Sequence, residues 1–213
     1  MNDDSVVLKA TPVLGSYPPV LLASQSEIRR HLLQAAGIAV RVRSSGVDED
    51  MIKRMCREQG AGVDETACAL AEAKARAVAS SDGTLVIGAD QILALGEQRF
   101  DKPADRAQAR RHLLALRGRT HHLHTAIVVC RGTDVLWRHV ARPSLRMRSF
   151  SDACLDAYLA MEGDAVLASV GAYRLEGPGV HLFEAIEGDH SAILGLPMLP
   201  LLAALRDLHA API

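Results

Sequence analysis

The sequence predicts an α/β fold built on a mixed sheet. Two patterns carry that reading. Strand-like and helix-like stretches alternate through the first part of the chain, and strand-like stretches cluster in its middle. A third observation sets the domain count. No internal repeat, linker-like stretch or low-complexity tract divides the 213 residues. Residues 18–213 are therefore expected to form a single two-lobed domain, and residues 1–17, which show no period, an N-terminal arm.

Each element has its own signal. Val20–Ala23 is a short apolar run, read as a strand. Ser24-Gln25-Ser26 follows as a polar turn, with the Ser26 hydroxyl placed to cap a helix. Ile28, Leu32, Leu33 and Ala36 recur at helical spacing, and Gly37 stops that helix. Ile38–Val42 reads as a second strand, and Gly46–Asp50 as a polar turn after it. Thr66–Ser80 is nearly all helix formers, with Asp64 or Thr66 as the cap. Leu85–Ile87 reads as a short buried strand closing in Gly88-Ala89-Asp90-Gln91, and Ile92–Leu95 continues the apolar run. Ala104–Leu116 is a helix stopped by Gly118.

His121–Cys130, Val135–Val140 and Ser144–Arg148 read as neighbouring strands, and Ser149–Met161 as a helix with Ser151 as its cap. Val170–Leu175 and Val180–Phe183 are expected as short strands around a Gly-Pro-Gly turn. Pro197 opens the last helix, Met198–Leu208, at a first-turn position where proline is tolerated.

Composition excludes several classes. Hydrophobic residues are 49% and charged residues 23%, which rules out wholesale disorder. Lys plus Arg is 24 and Asp plus Glu is 25, so the net charge of −1 argues against a nucleic-acid coat. Aromatics are only 3%, too few for extensive base-stacking platforms. No apolar run reaches the roughly 18 residues of a membrane span. The acidic start Met1-Asn2-Asp3-Asp4 is unlike a cationic signal peptide. Cys56, Cys68, Cys130 and Cys154 form no CxxC pair and suit buried thiols in a reducing cytoplasm. The expectation is a cytoplasmic protein with no membrane or nucleic-acid partner. A homodimer is compatible with the sequence, though no surface in it announces one.

The charged residues gather at strand ends. Arg29 and Arg30 follow the first turn, where a helix N-terminus offers free N–H groups to an anion. Glu49 lies in the second turn, Lys74 in the alanine-rich helix, Asp90 after a buried run and Lys102 before a helix. A carboxylate at the carboxyl end of an α/β strand sits where such sheets bind ligands. A divalent metal (Mg2+ or Mn2+) on Glu49 and Asp90 would activate water and offset phosphate charge. Arg29, Lys74 and Lys102 would clamp a polyphosphate. That is equipment for hydrolysing a phosphoanhydride.

These pieces resemble the Maf-like nucleoside triphosphate pyrophosphatases. The resemblance rests on Leu22–Ser26 with Arg29-Arg30, Val47–Glu49, Ala73–Ala75, Gly88–Asp90, Lys102-Pro103, and Gly118 with His121 and Thr125. It ends with Gly171–Tyr173, Glu176-Gly177, Glu187–Asp189 and Gly195–Pro197. Each piece is short, but the ordered set, from about residue 20 to 208, is specific. The resemblance implies an elongated mixed sheet flanked by helices with a central cleft, similar to the inosine triphosphate pyrophosphatases. It also implies metal-dependent hydrolysis between the α and β phosphates. Asp90 falls on the family's proton-acceptor position, and Ser24, Arg29, Glu49, Lys74 and Lys102 fall on its other active-site positions.

Three positions bear on the base. Pyrimidine-directed members carry an arginine where this chain has Ile28, a threonine where it has Gln91 and a glutamine where it has Glu176. The 7-methylguanosine triphosphate subgroup resembles this chain at all three, with an apolar residue, Gln and Glu, although its apolar residue is typically a tryptophan that can stack. A carboxylate at Glu176 can accept from a guanine's N1–H and exocyclic amine, and it attracts a cationic methylated base. A purine nucleoside triphosphate, modified purines included, is the expected substrate.

His122 and His124 share one strand face, but two ligands do not close a zinc site. They are read as a solvated strand edge. Against the enzyme stands a second expectation, a non-catalytic nucleotide-binding regulator of cell division or septum formation, to which the family has been linked. The pair Glu49 and Asp90 favours turnover, because a pure phosphate binder gains nothing from two uncompensated carboxylates.

Overall fold

The structure is a computed structural model that describes residues 17–211. The N-terminal arm expected over 1–17 therefore lies almost wholly outside the described residues.

Among the described residues eight strands form one mixed sheet: β1 (Val20–Leu22), β2 (Val40–Val42), β3 (Leu85–Leu95), β4 (Gln98–Phe100), β5 (Thr120–Arg131), β6 (Asp134–Ala141), β7 (Ser144–Met147) and β8 (Phe183–Glu187). The order is β2-β1-β3-β5-β7-β8, with β4 added to β3 and β6 to β5. β1 runs parallel to both β2 and β3, and every other pairing is antiparallel. Among the described residues seven α-helices accompany it: α1 (Glu27–Ala35), α2 (Glu49–Glu58), α3 (Val63–Val78), α4 (Arg106–Leu116), α5 (Asp152–Glu162), α6 (His190–Ile193) and α7 (Met198–Asp207). The expected mixed α/β sheet flanked by helices is the architecture observed. Among the described residues, no helix is long and apolar enough to cross a membrane.

The spine is the antiparallel pair β3–β5, in register from Leu85 opposite Arg131 to Ala94 opposite His122. The other edge of β3 is shared. β1 covers it up to Ile87, and β4 covers it from Leu93 onward. Between them Asp90 and Gln91 face no neighbouring strand on that side among the described residues.

Strand alternation distributes the core. Val20, Leu22, Ile87, Ile127 and Val129 bury one face against Leu33 of α1 and Leu201 and Leu205 of α7. Leu21, Val86, Ala126 and Val128 bury the other face against Ala67, Leu70, Ala71 and Ala75 of α3. A third cluster joins Leu93, Phe100, Leu123 and Met147 to Leu113 of α4 and Leu155 of α5.

Several expectations are corrected. Gly46–Asp50 is not only a turn. Asp48 accepts from the Met51 N–H at 2.9 Å and caps α2, which begins at Glu49. Helix α3 starts at Val63 after Gly62, earlier than expected, and the Glu65 carboxylate accepts the Gly62 N–H at 2.7 Å. Asp64 instead meets His124 and Arg142. β3 is one continuous strand, so Asp90 lies in its middle rather than at a carboxyl end. Residues 170–172 and 178–182 form 3₁₀ turns instead of strands. Gly171 at φ +76° and Ala172 at φ +61° are left-handed, which a strand does not allow. The strand begins only at Phe183. His122 and His124 sit on an interior strand rather than a sheet edge, because β5 pairs with β3, β6 and β7.

Candidate active site

The gap beside Asp90 opens into a cleft of about 1350 Å³. Ser24, Ile28, Arg29, Glu49, Lys74, Asp90, Gln91, Lys102 and Glu176 all line it. The nine positions singled out in the sequence thus meet in one cavity, although they span about 150 residues of chain.

At its floor, Lys74 joins the two carboxylates. Its Nζ donates to Asp90 Oδ1 at 2.6 Å and pairs with Glu49 Oε1 at 2.8 Å. Lys74 and Asp90 are buried, whereas the Glu49 side chain is 44% exposed. Burial works to raise the Glu49 pKa, but the Lys74 hydrogen bond and charge, with Lys53 and Lys102 beyond, hold it below the usual carboxylate range. The local backbone explains the meeting. Glu49 opens α2 directly after its cap, Lys74 projects from the alanine face of α3, and Asp90 points from the same face of β3 that α3 covers.

Arg29 is held by protein atoms. Its Nε donates to Gly195 O at 2.8 Å, and one Nη1 donates to Ala89 O at 3.0 Å and to Ser24 Oγ at 3.3 Å. Burial pushes its pKa down, opposed by the charges of Asp90 and Glu49. Nη2 is the guanidinium nitrogen left for a ligand. Ser24 Oγ also accepts from the Ser26 N–H, at 3.2 Å, and its own O–H stays free to donate. The Ser26 hydroxyl caps α1 as expected, by accepting from the Arg29 N–H.

Gln91 is fastened to the wall. Its amide Nε2 reaches Thr125 Oγ1 at 2.8 Å and the carbonyls of Ala192 and Ile193 at 3.1 and 3.0 Å. Its carbonyl oxygen is what it offers the cleft. Glu176 accepts from Arg174 Nε at 3.2 Å. Lys102 is exposed and makes no ion pair among the described residues.

Sequence reasoning missed Lys53 and Arg174, both in the cleft wall. Lys53 Nζ donates to Asp101 Oδ1 at 2.6 Å. Burial pulls the Lys53 pKa down, but Asp101, Glu49 and Asp90 outweigh it and leave the pKa raised. Its position four residues after Glu49, on the same face of a helix, was the available signal.

Comparison with known proteins gives the family. A family model described as Maf-like protein covers residues 19–208. The chain belongs to the Maf-like family. A relative named nucleoside triphosphate pyrophosphatase, from Gluconobacter oxydans (strain 621H), is 51% identical over 191 residues, covering 89% of this chain and 94% of that protein. A protein of the same name from Granulibacter bethesdensis is 50% identical over 192 residues, 90% of this chain and 98% of its own length. A relative named 7-methyl-GTP pyrophosphatase, from Rhizobium meliloti (strain 1021), is 49% identical over 195 residues, 91% of this chain and 98% of that protein. The cleft around Asp90 lies entirely within the Maf-like span.

Proposed function

We propose that this Maf-like protein hydrolyses the α–β phosphoanhydride of a nucleoside triphosphate, releasing the monophosphate and pyrophosphate. The observation that carries the reading is the Lys74 ammonium shared by Asp90 and Glu49 on the floor of a cation-lined cleft. The names of its relatives support the same reaction class.

Asp90 accepts the proton of the attacking water, and Lys74 holds its carboxylate in place. Lys102 and Nη2 of Arg29 meet the phosphate oxygens and the charge that develops on the leaving pyrophosphate. The Ser24 hydroxyl donates to a phosphate oxygen. No group of three His, Cys, Asp or Glu able to hold a metal occurs among the described residues. Two carboxylates are nevertheless the hard, incomplete donor set that suits Mg2+ or Mn2+ when substrate phosphates and water complete the shell. Glu49 and Asp90 would hold such a cation, which when bound supplies Lewis acidity and charge neutralisation.

At the base end, Glu176 and the carbonyl oxygen of Gln91 are acceptors, which suits the N1–H and amino group of a guanine better than a pyrimidine. Ile28 gives an apolar wall but no stacking plane. A purine, with 7-methylguanine included, is the proposed base. The free thiols suit a reducing cytoplasm.

The test is pyrophosphate release from 7-methylguanosine triphosphate, GTP, UTP and TTP with Mg2+ or Mn2+. The purine substrates should lead, and Asp90→Asn should lower the rate by about 10²–10⁴-fold. Tight triphosphate binding with no product over hours would replace this reading with that of a nucleotide-binding regulator.

A further inference from the structure

Glu162 is an anion in a costly place. It is the last residue of α5, where the helix dipole disfavours negative charge, and its side chain is only 3% exposed. Among the described residues its one ionic partner is Arg174, whose Nη1 donates to Glu162 Oε2 at 3.2 Å. The other end of the same guanidinium donates from Nε to Glu176 Oε1, also at 3.2 Å. One planar fork therefore links a buried carboxylate to a carboxylate in the cleft wall.

The surrounding backbone is shaped to this linkage. A Cβ on Gly177 would stand 2.8 Å from Glu162 Oε1, so the buried carboxylate rests against the turn that carries Glu176. A Cβ on Gly179 would stand 2.4 Å from the Arg174 carbonyl oxygen, so the chain folds back on Arg174 itself. The side chains of Arg174 and Glu176 are each about one third exposed, at 36% and 34%, on the cleft side. A lone surface pair of this kind would be loosely held. Glu162 gives this one a buried anchor.

We infer that Arg174, pinned by the buried Glu162, is a positioning residue that fixes the plane of the Glu176 carboxylate and so sets the base selectivity of the cleft. The inference rests on the proposed role of Glu176 in reading the base. With Oε1 held by Arg174, Oε2 has no hydrogen-bond partner among the described residues and is the oxygen left to accept from a ligand. A lysine at 174 keeps the charge but lacks the two-ended fork, so it can satisfy only one carboxylate at a time.

The experiment measures kcat and KM for 7-methylguanosine triphosphate, GTP and UTP in Arg174→Met, Arg174→Lys, Glu162→Gln and Glu176→Gln, with folding checked by circular dichroism. Arg174→Met should lower the purine-over-UTP ratio of kcat/KM by about tenfold, the factor that corresponds to freezing one glutamate side chain. The loss should fall on KM, the signature of ground-state binding. Glu162→Gln should move the ratio in the same direction by less, and Arg174→Lys should recover part of it. If Arg174→Met does not fold, Glu162→Gln and Arg174→Lys carry the same comparison. A ratio that collapses in Glu176→Gln but is unchanged in the folded Arg174 and Glu162 variants overturns this inference alone. A ratio unchanged in Glu176→Gln as well overturns the reading of Glu176 beneath it.

Discussion

Gly88 touches the backbone of Ala71: a Cβ on Gly88 would stand 2.0 Å from the Ala71 carbonyl oxygen and 2.9 Å from the Ala75 nitrogen. This contact brings α3 down onto β3. Asp90 is two residues beyond Gly88 and so shares its face of the strand, while Lys74 is three beyond Ala71 and shares its face of the helix. The 2.6 Å bond between Lys74 and Asp90 is thus a consequence of having no side chain at position 88.

Gly88→Ala should therefore act at a distance from the chemistry. The helix must lift to admit the methyl group, at a cost of about 1–3 kcal/mol by the usual scale of overpacking. Lys74 would move with it, and a displacement of that kind can cost on the order of 10²-fold in kcat/KM. Urea denaturation and pyrophosphate release measured on the same variant check both effects. Full activity at unchanged stability would show that α3 is not seated by this glycine.

Lys74→Met separates the charge of Lys74 from its placement. Asp90 is 6% exposed, and without its ammonium partner it would be left buried and unpaired beside Glu49. Breaking a buried ion pair from one side typically costs about 3–5 kcal/mol. Adding Asp90→Asn to Lys74→Met should return part of that stability while leaving the protein inactive. A double-mutant cycle in urea measures the coupling. Additive single effects would mean that the pair contributes nothing to the fold.

The elements that a local signal encodes were legible in the sequence. Ser26 and Ser151 cap the helices they were expected to cap, and the alternating core of β1, β3 and β5 follows from apolar runs. Helix α2 was not legible because its ten residues are largely charged and only Cys56 is buried. The 170–183 stretch misled because Val170, Tyr173, Val180 and Phe183 favour strands, whereas the left-handed Gly171 and Ala172 follow from packing that no local pattern records. Glu49, Lys74, Asp90 and Lys102 were legible as charged residues beside apolar runs, although Asp90 proves to lie mid-strand and Lys74 mid-helix. The uncovered edge of β3 was not, because it depends on where β1 stops and β4 begins. Arg174 escaped because its second partner, Glu162, is brought to it and buried only by the tertiary fold.

Arg29 shows how a residue read as a phosphate ligand also carries structure. Its Nε and Nη1 tie α1 to Gly195 and Ala89, and a Cβ on Gly195 would stand 3.0 Å from that Nε. Arg29→Lys keeps a cation but cannot make the separated bonds to both carbonyls. Charge-assisted hydrogen bonds contribute about 1.5–3 kcal/mol each, so the variant should lose on the order of 2–3 kcal/mol. For a chain of this length that lowers Tm by roughly 5–10 °C. Calorimetry checks it, and an unchanged Tm would reduce Arg29 to a ligand contact alone.

His121 makes a pH prediction with a definite sign. The ring is fully buried, Nε2 meets the Tyr173 hydroxyl at 2.9 Å, and Nδ1 has no partner among the described residues. Burial, with a smaller push from His122, moves its pKa down to about 4. In the unfolded chain the same group titrates near about 6.5. Between those values the unfolded state binds more protons, so folding is stabilised as pH rises. The contribution is fully present above about 6.5 and is lost as pH falls through the window to about 4. A gap of that size corresponds to on the order of 3 kcal/mol. His121→Phe should lower stability at neutral pH by leaving the Tyr173 hydroxyl unsatisfied, and it should flatten the dependence through that window. The decisive quantity is the stability difference between wild type and His121→Phe from pH 4 to 7, because other groups common to both proteins cancel in it. It should shrink as pH falls, whereas a constant difference would mean that His121 is not held neutral by its burial.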